Sequence, residues 1–161
     1  MVRNALEILA ARLAIERISP EQIGQVHVLE VAHAREASGG DVRGLMRVND
    51  QFHDAIYGAA GNSCLLETIQ QLRRQIHPVR FNAWARPERI ARSVAEHRQM
   101  VEALSHHDED GLARLTKEHL RVAKESYLFH LGVLPAPTTG RETREPLAGS
   151  IAGNAMEQGP E

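Results

Sequence analysis

The sequence predicts an all-α fold, an antiparallel bundle of about six helices, and three observations carry that expectation. Apolar residues recur every three or four positions, the spacing of one helical face. Caps and stops punctuate the pattern at intervals of ordinary helix length. No stretch alternates β-branched and polar residues as a half-buried strand does.

The first helix is expected from Val2 to Ile18, with Arg3, Leu6, Ala10, Leu13 and Arg17 on one side. Ser19-Pro20 then supplies a cap and a helix-initiating proline. The second helix runs from Pro20 to about Ala37 and closes at Ser38-Gly39-Gly40. Asp41 reads as the N-cap of a third helix reaching Ala60, whose buried stripe is Leu45, Val48, Asn49, Phe52, Ile56 and Ala60.

Gly61-Asn62-Ser63 is a glycine stop followed by a new cap, and a fourth helix starts near Cys64 with Leu65, Leu66, Ile69, Leu72 and Ile76. Pro78 is expected to kink or break it, the pattern resuming through Phe81 and Trp84. Pro87 opens a fifth helix with Ile90, Val94, His97, Val101 and Leu104 inward. His106-His107-Asp108-Glu109-Asp110 is a turn, with Asp110 read as the cap. A sixth helix follows from about Asp110 to His130, burying Leu112, Leu115, His119, Val122 and Ala123.

Beyond Pro135 the chain is rich in proline, glycine and polar residues and cannot bury enough surface to offset its ordering entropy. Residues 1–134 are therefore expected to form one domain and residues 135–161 a disordered tail.

The whole chain of 161 residues is 42% hydrophobic and 25% charged, with a net charge of -2. It has no basic run of the kind that tracks a phosphate backbone. No apolar stretch approaches the ~18 residues needed to span a bilayer. Cys64 is the single cysteine, so no disulfide can form within the chain. These features lead us to expect a soluble, cytoplasmic domain.

Three histidines stand out. His53, His97 and His119 fall on the expected inner faces of three different helices. An imidazole that leaves water must find a partner, and several pointing into one bundle suggest a metal ion. Asn49 lies four residues before His53 on the same face, so one helix could supply two adjacent donors. Three imidazoles with one oxygen suit Zn²⁺, with Ni²⁺ or another first-row divalent ion also possible. Each ring taken singly is more often a hydrogen-bonded core histidine than a ligand, and the separations match no local metal motif. His27, His33, His77 and His130 read as surface or helix-end residues. His106 and His107, with Asp108 and Asp110, resemble a loop metal site, but a solvated turn with Asp110 as its cap is the leading reading.

Several motifs occur in a recognisable order: Val2-Arg3-Asn4-Ala5-Leu6-Glu7 with Ala10-Ala11-Arg12-Leu13-Ala14; Gly40-Asp41; Asn49-Asp50-Gln51-Phe52-His53-Asp54-Ala55-Ile56-Tyr57 with Ala59-Ala60-Gly61-Asn62; Glu96-His97 with Val101 and Ala103-Leu104; and His119-Leu120. In this order the sequence resembles the C-terminal effector-binding domain of FadR-type GntR transcription regulators, the FCD domain, over about residues 1–131. The resemblance implies an all-helical domain that dimerises and binds a small effector, often an organic or sugar acid. It also implies a divalent metal held by one aspartate and three histidines, which map to His53, His97 and His119. The aspartate's position is occupied by Asn49, a neutral donor that makes the site less anionic.

By the same resemblance Arg3 is a candidate for the effector's carboxylate, and a salt bridge to Glu7 is the competing role. Arg80, near Phe81 and Trp84, is a second candidate. Regulators of this kind carry a winged helix-turn-helix before the FCD domain, and this sequence is expected to begin directly at the first FCD helix. DNA contact would therefore run through a domain absent from it. The leading reading is an effector-sensing homodimerisation domain without catalytic residues. The alternative is a metal-dependent enzyme using the three-histidine site, against which Glu96 is expected to point about 100° away from His97.

Overall fold

The computed structural model describes residues 2–75, 84 and 86–133. They form six α-helices: α1 (Val2–Ile15), α2 (Pro20–Gly39), α3 (Val42–Gly58), α4 (Ser63–Gln75), α5 (Pro87–Ser105) and α6 (Glu109–His130). There is no strand among the described residues. Helix α1 packs on α3, α4 and α6, α2 on α3 and α5, and α5 on α6. Ala10, Ala11 and Ala14 give α1 a smooth buried face, and Phe52, Ile56, Met100, Leu104 and Leu112 share its core.

The helix boundaries follow local chemistry. Ser19 and Gln22 form a reciprocal capping box, Ser19 Oγ accepting from the Gln22 amide at 3.2 Å and Gln22 Oε1 from the Ser19 amide at 2.9 Å. Gly40 ends α2 in the left-handed region (φ 77°), and Asp41 then caps α3 by accepting from the Arg43 amide at 3.0 Å. Gly61 repeats the left-handed stop (φ 67°), and Asn62 accepts from the Leu65 amide at 3.0 Å.

Several expectations need correction. Helix α1 ends at Ile15, the chain closing with a bond from the Ile18 amide to the Ala14 carbonyl at 2.8 Å. Asp108, not Asp110, caps α6: its Oδ1 accepts from the Gly111 amide at 2.9 Å, while Asp110 pairs with Arg12 at 3.0 Å. Of the turn histidines, His106 donates to the Glu102 carbonyl at 2.8 Å and His107 reaches the Ile15 carbonyl at 3.3 Å, so both close the turn.

The buried face of α5 is rotated from the expected one. It comprises Arg89, Ser93, Glu96, His97, Met100, Ala103 and Leu104, and Ile90 and Val94 are only half-buried. That rotation carries three polar side chains inward. Ile76, Pro78, Arg80 and Phe81 lie outside the described residues, as do the expected disordered tail 135–161 and His77. Trp84 is buried and packs with Leu45 and Met46, beside Ala37, Val42 and Ile90. No helix among the described residues is long and apolar enough to cross a membrane.

Candidate metal centre

Helices α3, α5 and α6 each place one histidine at the same level of the bundle. The ring centroids of His53, His97 and His119 stand 5.0, 4.9 and 5.1 Å apart, a nearly equilateral triangle. One nitrogen from each ring lies within 4.8 Å of the others, and all three residues are buried. Convergence is therefore a property of the fold.

The neighbours of each ring fix its protonation. His119 Nδ1 lies 2.7 Å from Glu96 Oε2, and since a carboxylate only accepts, the proton sits on Nδ1. In the neutral ring that a metal would take, Nε2 of His119 carries the lone pair. On the other side Tyr57 donates its hydroxyl to Glu7 Oε2 at 2.9 Å. The same hydroxyl oxygen is then the acceptor for His53 Nδ1, a long contact of 3.5 Å, which again puts the lone pair on Nε2. A carboxylate behind an imidazole is the usual means of orienting a metal-bound histidine. Glu7 is 1% exposed and also faces Arg3 Nε at 3.3 Å.

His97 has no such support. Neither of its ring nitrogens has a hydrogen-bond partner among the described residues, and it is fully buried. Its ring stacks on Phe52, with centroids 4.1 Å apart and planes 13° from parallel. Burial, reinforced by His119, His33 and Arg89, pushes its pKa well below the ordinary histidine value. It is a neutral imidazole with an unused lone pair aimed among other imidazoles. Asn49 Oδ1 is likewise buried and unpartnered among the described residues, while its amide nitrogen lies 3.4 Å from Asp50 Oδ1. An orphaned imidazole at one corner of the triangle fits a divalent cation, which would satisfy a ring nitrogen that nothing else among the described residues does.

Glu96 does not face away as its place beside His97 suggests. The α5 rotation brings it inside, where Oε2 also accepts from Arg89 Nη1 at 3.3 Å and Oε1 from Arg92 Nε at 2.8 Å. Burial alone would raise its pKa, but the hydrogen bond and charge of His119, with Arg89 and Arg92, hold it down at about 2. A carboxylate so fully engaged is a poor general base. Its role is to hold His119 and to neutralise Arg89, which is buried against Trp84 with its guanidinium 5.4 Å from the ring.

His33 is the largest departure from expectation. Expected at a surface or helix end, it is fully buried in the middle of α2, its ring centroid 4.3 Å from that of His97. Burial, then the charges of His119 and Arg89, lower its pKa to about 4. The signal is present as Val26, Glu30 and His33 at four- and three-residue spacing, the buried face of α2. Two of those three residues are polar, which hides the stripe from a hydrophobicity reading. Arg3 does pair with Glu7, and the candidate Arg80 lies outside the described residues.

A six-helix bundle around a buried trio of imidazoles, its nearest carboxylates already engaged, defines a regulatory domain more readily than a catalytic one. The FCD domain family model matches residues 1–122, and the chain belongs to that family. Among known proteins it is similar to the HTH-type transcriptional regulator McbR of Escherichia coli (strain K12), 24% identical over 132 residues, 78% of this chain and 60% of that protein. It is also similar to the Nta operon transcriptional regulator of Aminobacter aminovorans, 26% identical over 122 residues, 74% of this chain and 55% of that protein. Both relatives are transcriptional regulators. The chain thus spans little more than half the length of each. The solved structure of E. coli McbR/YncC superposes with a TM-score of 0.69 at 22% identity, covering 78% of this chain and 62% of that one, which shows the fold.

Proposed function

We propose that this chain is the effector-sensing part of a GntR-type transcription regulator, and that a divalent metal anchors the effector inside the bundle. The observation that carries the reading is the buried triangle of His53, His97 and His119, one ring held by the Glu96 carboxylate, one facing the Tyr57 hydroxyl, and the third unpartnered among the described residues. His53, His97 and His119 would hold the ion, with Asn49 Oδ1 as a neutral oxygen donor. Zinc is the first candidate, because neutral imidazoles suit it, and nickel the second. A bound ion supplies Lewis acidity that a small carboxylate can satisfy at an open position.

Arg3 stands on α1 beside Glu7, close enough through Tyr57 to the His53 side to attract an anionic effector. Its guanidinium already faces a buried carboxylate, so an incoming acid would share it. The effector's binding energy would be reported as a change in helix packing and dimer geometry, the differential contact that shifts a two-state equilibrium. DNA would be read by a separate helix-turn-helix domain, and the assembly would work in the cytoplasm as a homodimer. Exposed Val2 and Leu9 on α1 and Val28 and Val31 on α2 offer apolar surface for association. On α4, by contrast, Leu65 and Ile69 are buried, and Leu66 and Leu72 half-buried.

The test is a two-stage calorimetric titration. Zinc added to chelator-treated protein should bind at one ion per chain, and organic or sugar acids should then bind only the zinc-loaded form. Uptake of zinc that is unchanged in His97→Ala, or acids that bind equally with and without zinc, would remove the metal from the reading.

A further inference from the structure

Adjoining the three-histidine level, toward Trp84, lies a second layer of polar atoms that the metal reading does not use. Ser93 is fully buried, one helical turn before His97 on the same face of α5, and its hydroxyl has no partner among the described residues. Both ring nitrogens of His33 are in the same condition. The layer's place is set by the apolar cluster beyond it, where Trp84 packs with Leu45 of α3 and beside Ala37 of α2 and Ile90 of α5. His33 is one turn inward from Ala37, Asn49 one turn inward from Leu45, and Ser93 one turn inward from Ile90. Contact between His33 and His97, with ring centroids 4.3 Å apart, joins this layer to the metal level.

Leaving a buried hydroxyl and a buried imidazole unbonded is costly, and a sequence selected only for stability would fill these positions with apolar side chains. The layer has both donors and acceptors: the serine hydroxyl, and one N–H and one lone pair on the neutral ring. The one cationic group a further turn along α5, Arg89, is already paired with Glu96. A second carboxylate would enter without a counter-charge, and an alkyl group would leave every polar atom unsatisfied. A hydroxyl, which donates once and accepts twice, complements both kinds of atom.

We propose that Ser93 and His33 form a hydroxyl-reading subsite one helical turn from the three-histidine centre, selecting acids that carry a hydroxyl beyond their metal-directed carboxylate. This rests on the metal-anchored reading above for the placement of the carboxylate, but the subsite itself stands on the orphaned atoms.

Zinc-loaded protein, the full 161-residue chain, is titrated with matched pairs: glycolate and acetate, lactate and propionate, gluconate and hexanoate. At least one hydroxylated member should bind about 10-fold or more tightly than its partner, on the order of one hydrogen-bonded group in a dry site. Ser93→Ala and His33→Leu should each bring that pair to near equality while zinc stoichiometry stays at one. A preference that survives both substitutions, or no preference in any pair, overturns the proposal.

A second measurement needs neither zinc nor acid. In chelator-treated protein both substitutions should raise the melting temperature, by about 2–4 °C each, because an unsatisfied group gives way to an apolar one. A fall in both variants means the protein satisfies these groups itself and also overturns the subsite. Failure to bind zinc would sink the metal reading, and this thermal result would still decide the subsite.

Discussion

Glu96 Oε2 lies 2.7 Å from Nδ1 of His119, although Glu96 precedes His97 directly in the chain. Two consecutive residues of α5 therefore serve two different imidazoles. His97 presents its own ring, and Glu96 reaches across to α6 and orients the ring of His119. The same carboxylate faces Arg89, so one side chain couples the three-histidine level to the charged interior of the bundle.

Replacing that carboxylate should be felt twice. Glu96→Gln takes from the buried Arg89 guanidinium the carboxylate that faces it at 3.3 Å, and stability should fall by about 1–3 kcal/mol. It also removes the acceptor that sets the His119 tautomer, so zinc affinity should fall roughly 10–100-fold. Urea unfolding of chelator-treated protein and competition against a zinc chelator measure the two effects separately. A variant that keeps full stability would show that the Glu96 charge is not what holds Arg89.

At the metal level, His97→Ala should abolish tight zinc binding, since the triangle loses one of its three corners. Asn49→Asp should do the reverse, because a carboxylate replaces a neutral amide oxygen on the same face of α3 as His53. Chelator competition gives both answers. Zinc retention that Asn49→Asp leaves unchanged would place residue 49 outside the ion's reach.

Acid should destabilise the metal-free protein through His33. Its pKa falls from the ordinary 6.5 to about 4 in the folded chain, chiefly through burial. Between those values the unfolded chain binds a proton that the folded chain refuses, so stability increases with pH there. The contribution is full above about pH 6.5 and is lost as pH falls toward 4, on the order of 3 kcal/mol at about 1.4 kcal/mol per unit. His97 is depressed in the same direction and adds to the effect. Denaturation series from about pH 7 to 4.5 should therefore show a shallower loss in His33→Leu than in the parent. Parallel curves would count against a neutral, buried His33.

The capping box at the start of α2 should be worth about 1 kcal/mol, the ordinary loss when a serine cap becomes alanine. Ser19→Ala removes the acceptor for the Gln22 amide, and Gln22 no longer has its reciprocal partner held in place. Thermal unfolding would register the change, with zinc affinity unaltered because α2 supplies no ligand to the triangle.

Association is the last expectation. Sedimentation at micromolar concentration should find two chains, and a charge placed on the exposed apolar residues, as in Val28→Glu with Val31→Glu, should shift the species toward one if that face is used. A monomer in the unsubstituted protein would contradict the dimeric reading.

The six helices of the described residues, most of their ends and the three principal histidines were legible in the sequence because each depends on local chemistry. Ser19, Gly40, Asp41 and Gly61 act on the backbone beside them, and a 3.6-residue repeat places Asn49 next to His53 whatever surrounds α3. What the sequence could not settle was the rotation of a helix whose buried face is partly polar. On α5, Ile90 and Val94 suggested one face, while Arg89, Ser93 and Glu96 line the buried one; partners on α6 and around Trp84 compensate Arg89 and Glu96 there. On α2 the same masking hid His33. Burial of a polar group depends on a partner that is distant in sequence, and only tertiary packing brings that partner within reach.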